Sequence, residues 1–468
     1  MSLSFHSKSV CALLLCLTLI HPPAGTGQNR VVAYYPMWTR SALPPQAIRF
    51  DLLTHILHAF AWPDTSGNLA FHEASVDTEL INFTHRAGRK ILLSFGGAGD
   101  VQTANLALVT ADTAKRHAFI NNIVAHLTKY NYDGADFDWE WPQTAAERNN
   151  EAALMRELRA AFNTANASLL ISMSVGVTDY QGQWHDFATL KTYVDWFNAM
   201  AFNFHGSWST HAGHNAPLYA PATDHDGCVN DGIVYLHNTR GIPTQQITLG
   251  LAFFGRRFQA AALYGPKTEP TADIVYTDAA TDLANNWLYT WDSVSQVPYL
   301  QDRAGKYLDT FDDSTSLTAK CDYARSHQLA GVMIWTLGQD YSQGREPLLE
   351  AVSRAVNAPT SDVGPTESMP PQGYVLLQNY PNPFNPKTSI RFSVPTMTGR
   401  DGQAPGISDV KLVVYDLLGR EVATLVNERK AAGSYEVPFD GTDLSSGVYI
   451  YRLSAGSSVQ SKTMILLK

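Results

Sequence analysis

The run DGADFDWEWP (residues 133–142) places carboxylates at alternate positions, Asp136, Asp138 and Glu140, with Asp133 just upstream. In an extended strand, residues at i, i+2 and i+4 share one face, so these three acids project together while Phe137 and Trp139 turn the other way. Strand rise separates neighbouring acids by about 7 Å, close enough to couple and to hydrogen-bond when one holds a proton. Like charges resist ionising together, so such a stack keeps at least one proton near neutrality, which is what a general acid requires. Glu140, the outermost, is the candidate acid, with Asp138 and Asp136 behind it. A calcium loop is a competing reading, but it needs Gly directly after the third Asp, and Trp139 stands there. Solvated surface charge is the ordinary reading of a lone acid. Several acids at fixed spacing inside an apolar strand fit it poorly, because a buried unpaired carboxylate is costly.

The acids need a scaffold that holds a strand end open to solvent. Between residues 31 and 356 the chain alternates short β-rich runs with amphipathic stretches. The runs are VVAYY (31–35), HILHAF (55–60), KILLSF (90–95), GADFDWE (134–140), LLISMSV (169–175), WFNAMAF (196–202), ITLGLAF (247–253) and GVMIWTL (331–337). Helix-like segments at 110–130, 144–165 and 316–328 lie between them. This pattern predicts an α/β fold, a (β/α)8 TIM barrel, with Glu140 at the C-terminal end of the fourth strand, where barrel enzymes place their chemistry. The stretch 257–313 is too long for a simple connection and rich in aromatics, as in YTWDSVSQVPYL (289–300). It predicts a small α+β insertion between strand 7 and helix 7, forming one wall of a cleft. Residues 358–373 are rich in Pro, Ser, Thr and Gly and read as a linker. From 374 to 468, short alternating runs separated by turn residues predict a C-terminal β-sandwich.

The 468 residues carry a formal charge of −9 with no basic block, which argues against a nucleic-acid partner. Residues 1–27 have Lys8 before an apolar stretch and small residues after it, the layout of a secretory signal peptide. No other stretch approaches the roughly 20 apolar residues of a membrane span. The expected chain is therefore exported, soluble and monomeric, with a catalytic domain at 28–357. Cys11 and Cys16 fall in the signal, and Cys228 and Cys321 either pair or remain two buried thiols. No metal or cofactor is expected.

The pattern Asp133-x-x-Asp136-x-Asp138-x-Glu140 resembles the signature of the family 18 glycoside hydrolases, chiefly chitinases. Ser94-Phe95-Gly96-Gly97 is similar to that family's second motif, and FNFHGSW (202–208), LGLAFFGRRF (249–258) and Trp335 are similar to further family segments. The resemblance covers about residues 30–357. It implies chitin or chitooligosaccharides as substrate and a retaining mechanism without a carboxylate nucleophile. Glu140 would protonate the glycosidic oxygen while the substrate's own N-acetyl carbonyl attacks the anomeric carbon. Asp138 would orient the acetamido group, with Asp136 sharing a proton behind it. The implied cleft residues are Trp335, Trp141, Tyr35, Phe60, Gly97, Met200, Phe202, Asn203 and Arg256. Trp38, Trp62 and Trp208 also follow strand ends, and His205 either lines the cleft or is a hydrogen-bonded structural histidine.

One departure stands out: Met200-Ala201-Phe202-Asn203 occupies the place where the family usually has Met-x-Tyr-Asp. Phe202 lacks the hydroxyl and Asn203 the charge that normally contact the acetamido group, so retuned or reduced activity is expected. The C-terminal QNYPNPFNPKTSIRFSVP (378–395), VVYDLLGREVATLV (413–426) and SSGVYIYRLSAG (445–456) resemble the type IX secretion C-terminal sorting domain. That resemblance implies secretion machinery as a partner and a secreted or cell-surface location in a Gram-negative bacterium. Two other readings stay open: a hydrolase of another N-acetylglucosamine glycan, such as an N-glycan core or peptidoglycan, and a chitin-binding lectin of low activity.

Overall fold

Eight parallel strands close on one another: β1 (Arg30–Pro36), β2 (His55–Pro63), β3 (Lys90–Gly96), β4 (Gly134–Asp138), β5 (Leu170–Val175), β6 (Trp196–Ala199), β7 (Ile247–Ala252) and β8 (Gly331–Trp335). The closing pair is β1 with β8, in register from Arg30↔Gly331 to Ala33↔Ile334. This computed structural model describes residues 29–72, 76–221, 223–358, 375–376, 379, 384–394, 407–431, 433–455 and 458–467. The predicted signal at 1–27 and all but the first residue of the predicted linker at 358–373 lie outside them. The described residues form two compact units that divide between Ala358 and Pro359.

Strand alternation sorts the side chains of the barrel strands into an inner and an outer core. Inside the barrel, Val32, Tyr34, Leu57, Leu92, Trp196 and Met333 pack together. Outside it, the opposite faces of the same strands, including Val31, Tyr35, Ile91, Phe137 and Trp139, pack under the helices. Those helices include Thr113–Tyr130, begun by the Asp112 side chain accepting from the amides of Ala114 and Lys115, and Ala145–Ala165, begun by Thr144 accepting from Glu147. These caps satisfy amides that the first helical turn leaves unpaired.

The expected insertion is present. Strands Phe254–Ala260, Lys267–Val275, Leu288–Asp292, Val297–Gln301 and Tyr307–Thr310 form one five-stranded antiparallel sheet carrying the helix Tyr276–Ala284. The helix Ser314–Ser326 then returns the chain to β8. In the second unit, a three-stranded and a four-stranded sheet enclose a single core that includes Phe392, Leu412, Tyr451 and Met464, a β-sandwich. Among the described residues no helix is long and apolar enough to cross a membrane. Cys228 and Cys321 are both buried free thiols, the second of their two readings, and burial pushes each thiol up to about 12.

Candidate active site

The fourth strand is shorter than its sequence suggests. β4 ends at Asp138, so Glu140 sits in the first residues beyond it, at the C-terminal mouth of the barrel. The sixth strand likewise ends at Ala199, which leaves Met200, Phe202 and Asn203 in the loop that follows. Three cis peptide bonds, Ala59–Phe60, Glu140–Trp141 and Trp335–Thr336, lie at this same end of the barrel.

Asp136 and Asp138 point into the barrel, as the alternation requires, and their environments differ sharply. Register sets Ser94 of β3 and Ser172 of β5 on either side of Asp136. Both serines donate to it, at 2.7 and 2.5 Å. Tyr34 of β1 donates across the barrel at 2.7 Å, and Asn198 of β6 at 3.2 Å. The Tyr34 oxygen lies 2.6 Å from Ser174 Oγ. Because the phenol proton is given to Asp136, Ser174 must be the donor there. Burial raises the Asp136 pKa, while its four donors work in the opposite direction. Both of its oxygens are therefore occupied, and the expected proton sharing with Asp138 has no hydrogen bond to carry it.

Asp138 lacks such support. Its Oδ1 is buried without a hydrogen-bond partner. Burial, then the neighbouring charges of Glu140 and Asp136, hold its pKa well above the ordinary carboxyl range. Glu140 is half-buried, its backbone carbonyl accepts from the Thr103 hydroxyl at 3.0 Å, and burial raises its pKa to about 7. The result is one saturated carboxylate at the bottom, an unpartnered carboxyl in the middle, and a protonatable acid at the rim.

Gly96 and Gly97 make room for this arrangement. Gly96 has φ +122° and pairs with Asp138, where an added Cβ would lie 2.1 Å from the Asp138 carbonyl oxygen. The Gly97 amide donates to that same carbonyl at 2.9 Å, and a Cβ on Gly97 would meet the Phe60 ring at 3.1 Å. Any side chain at either position would push β4 or the cleft floor out of place.

That floor is aromatic. Trp335 and Phe60 stack at 6.0 Å with 27° between planes, and Tyr34 meets Trp335 edge-on at 5.0 Å. Trp38, which is 46% exposed, leans on Phe60 at 6.4 Å. Met200 and Phe202 pack against the same cluster, and Phe202 also meets Phe254 edge-on at 5.5 Å. Phe60 and Tyr34 are themselves buried, so the rings open to the C–H face of a sugar are those of the partly exposed Trp335 and Trp38. A cavity of about 360 Å³ continues past Phe202, lined also by Val177, Gln181, Asn203 and Trp208. There Arg256 donates to Asn203 Oδ1 at 2.6 Å, pairs with Asp273, and lies over the Trp208 ring at 5.4 Å.

Several expected roles change. Tyr35 does not reach the cleft: it lies on the outer face of β1, fully buried, with its hydroxyl donating to the Leu43 carbonyl. Tyr34 enters the barrel in its place, because adjacent strand residues face opposite ways. Trp141 is half-buried, 6.4 Å edge-on from His185. Asp133, the first acid of the run, sits at the opposite end of β4 and is held by Lys90, His85 and the Ile91 amide, a structural position. His205 is fully buried and hydrogen-bonded, the structural alternative of its two readings. Sequence reasoning missed Tyr34, Ser172 and Asn198, whose only signal is their inward register on neighbouring strands.

Residues 30–340 match the family described as glycosyl hydrolases family 18, and residues 378–467 match the secretion system C-terminal sorting domain. Relatives include probable chitinase 2 of Drosophila melanogaster, 32% identical over 54% of this chain and 56% of that protein. Chitinase A1 of Niallia circulans is 28% identical over 56% of this chain and 42% of its own length. The chain thus spans about half the length of these relatives. Among solved structures, the Group IV chitinase of Ostrinia furnacalis in complex with allosamidin superposes with a TM-score of 0.65 at 25% identity, covering 70% of this chain and 99% of that one.

Proposed function

The chain belongs to glycosyl hydrolases family 18, and from that premise we propose that it cleaves β-1,4 links between N-acetylglucosamine units of chitin, with Glu140 as acid and base. The observation that carries this reading is the unpartnered, buried Oδ1 of Asp138 next to an acid raised to about 7. A buried acceptor with nothing to accept costs about 1–3 kcal/mol, and the N–H of a substrate acetamido group would relieve it. So oriented, the acetamido carbonyl oxygen attacks the anomeric carbon as Glu140 gives its proton to the departing glycosidic oxygen. The resulting oxazolinium cation is stabilised by Asp138. Glu140, now a carboxylate, takes a proton from water, which adds to the anomeric carbon and opens the ring with net retention. Trp335, backed by the buried Phe60, supplies the stacking floor. The sorting domain at 378–467 supports export, for which we propose the type IX route of a Gram-negative cell.

The direct test is mass spectrometry of products from a chitin hexamer, with their anomeric form followed by NMR. Short N-acetylated oligomers released first as the β-anomer are expected. No turnover of the hexamer, with turnover of an N-glycan core or peptidoglycan fragment instead, would move the reading to another N-acetylglucosamine glycan. Binding without turnover of any of them would favour the lectin.

The acid must be protonated to act, so kcat/KM, which reports the free enzyme, is expected to fall about tenfold per pH unit above roughly 7, the value to which burial raises Glu140. A profile flat from pH 6 to pH 9 would separate activity from this group. The Phe202/Asn203 departure gives a further expectation. Phe202→Tyr with Asn203→Asp returns a hydroxyl and a charge beside the cleft, where Arg256 already holds residue 203. One lost bond to developing charge costs about 2–4 kcal/mol. The double variant is therefore expected to gain on the order of 10- to 100-fold in kcat/KM on chitotetraose, since part of that energy is spent ordering the new groups. An unchanged value would mean that these positions do not touch the acetamido group.

A further inference from the structure

Among its described residues, the loop from Met200 to Cys228, between β6 and the helix Val229–Val234, has no helix or strand, and its one isolated bridge joins His211 to Pro266. Loops of this length are uncommon unless something fixes them. Inside the loop, four side chains converge: His205, His211, Asp224 and Asp226, with one ligand atom from each, all lying within 4.8 Å of one another. His205 Nε2 is 3.1 Å from His211 Nε2 and 3.3 Å from both Asp224 Oδ1 and Asp226 Oδ2. His211 Nε2 is 3.8 Å from each of the same two oxygens.

These five separations lie close to the edges of a coordination tetrahedron. Zinc binds imidazole nitrogen and carboxylate oxygen at about 2.0–2.2 Å, which places ligand atoms of a tetrahedral site roughly 3.3–3.6 Å apart. The surroundings fit as well. His205 Nδ1 lies 3.0 Å from the His214 carbonyl, a contact that requires the Nδ1 proton and leaves the Nε2 lone pair facing the cluster. Gly213 makes room for that ring, since a Cβ there would lie 2.3 Å from it. Asp224 is buried, and its second oxygen, Oδ2, is buried with no hydrogen-bond partner. Two imidazoles and two carboxylates suit a divalent ion of the zinc type, and two neutral histidines with two aspartates balance its charge.

We propose that His205, His211, Asp224 and Asp226 form a structural site for a divalent transition metal, of which Zn²⁺ fits best, although the sequence alone led to no expectation of a metal. The ion clamps the two ends of the loop to each other. It thereby fixes the cleft wall, because Asp226, Asn203 and Trp208 line the same cavity. The four protein ligands close the coordination shell, so the ion takes no part in bond cleavage. The site stands or falls independently of the substrate proposed above.

The experiment is titration of the metal-stripped full chain with ZnCl2 by calorimetry, alongside Co²⁺ absorption spectroscopy and thermal unfolding. One Zn²⁺ per chain, a visible band of tetrahedral Co²⁺, and a rise in Tm that EDTA reverses are expected. His211→Ala and Asp226→Asn alter the two more exposed ligands, which are 27% and 39% exposed, where a change disturbs the packed barrel least. Each is expected to weaken Zn²⁺ binding on the order of 100-fold. Either of two results overturns the proposal: absence of stoichiometric binding, leaving a hydrogen-bonded ion-pair cluster, or binding of unchanged tightness in both variants, which puts the ion elsewhere. Should a variant fold poorly, the Co²⁺ spectrum of the parent decides, since octahedral or absent absorption also overturns the site.

Discussion

Glu140→Gln is expected to lower kcat on chitooligosaccharides by on the order of 10³-fold, with KM changed little, within the range that a positioned general acid contributes. Gln keeps the shape and the hydrogen-bonding capacity of the side chain and removes only the proton that leaves with the glycosidic oxygen. The same substitution has a second expected effect of opposite sign. Burial raises Glu140 from its ordinary 4.5 to about 7, so the folded state holds the proton more tightly than the unfolded chain does. The stability that this group contributes is present below pH 4.5 and is lost as pH rises through 7. The amide of the Glu140→Gln variant never ionises, so at pH 8 that variant is expected to be more stable than the parent by at most on the order of 3 kcal/mol, and at pH 4 to show no such gain. Steady-state kinetics and urea unfolding at the two pH values check both halves. Retained activity removes Glu140 from the acid role, and a stability difference independent of pH removes the buried ionisation.

Asp138 carries the second large effect. Asp138→Ala removes both its acceptor oxygen and the carboxyl that can take up a negative charge opposite the cation, and is expected to cost about 10²- to 10³-fold in kcat. Asp138→Asn keeps a carbonyl oxygen where the free Oδ1 stands but cannot balance a cation. If stabilising the oxazolinium is the main role, Asn is nearly as damaging as Ala. If orienting the acetamido N–H is the main role, Asn recovers most of the rate. Activity within about threefold of the parent in both variants would end the substrate-assisted reading, because nothing else in the stack has a buried oxygen left to offer: Asp136 accepts from four donors already.

The two carboxyls differ because of where the strands around them end. Asp136 accepts hydrogen bonds from Ser94, Ser172, Tyr34 and Asn198, and so is a fixed acceptor at the barrel's centre. Asp138, one register step nearer the mouth, has none of those neighbours, since β6 ends at Ala199 and β4 at Asp138 itself. The shortened strands are thus part of the site. They leave Asp138 without those donors and Trp335 partly exposed at the barrel mouth.

Much of this was legible in the chain itself. The period of two in DGADFDWEWP identified a one-sided stack of acids, since strand alternation is a local property of the backbone, and the structure turns Asp136 and Asp138 inward and Phe137 and Trp139 outward. Eight β-rich runs with helices between them determined the barrel for the same reason, and the long aromatic stretch at 257–313 determined the insertion. What local pattern could not decide was which side of β1 faces in: Tyr34 and Tyr35 are alike in sequence, and only closure of the barrel puts Tyr34 on Asp136 and Tyr35 under the helices. Nor could it find the donors of Asp136, which lie 36 to 102 positions away and meet it through the register of parallel strands. The convergence of His205, His211, Asp224 and Asp226 belongs to the same class, since an irregular loop has no period from which side-chain directions can be read. Periodicity fixes the face a residue shows. Only the packed fold decides what stands opposite it.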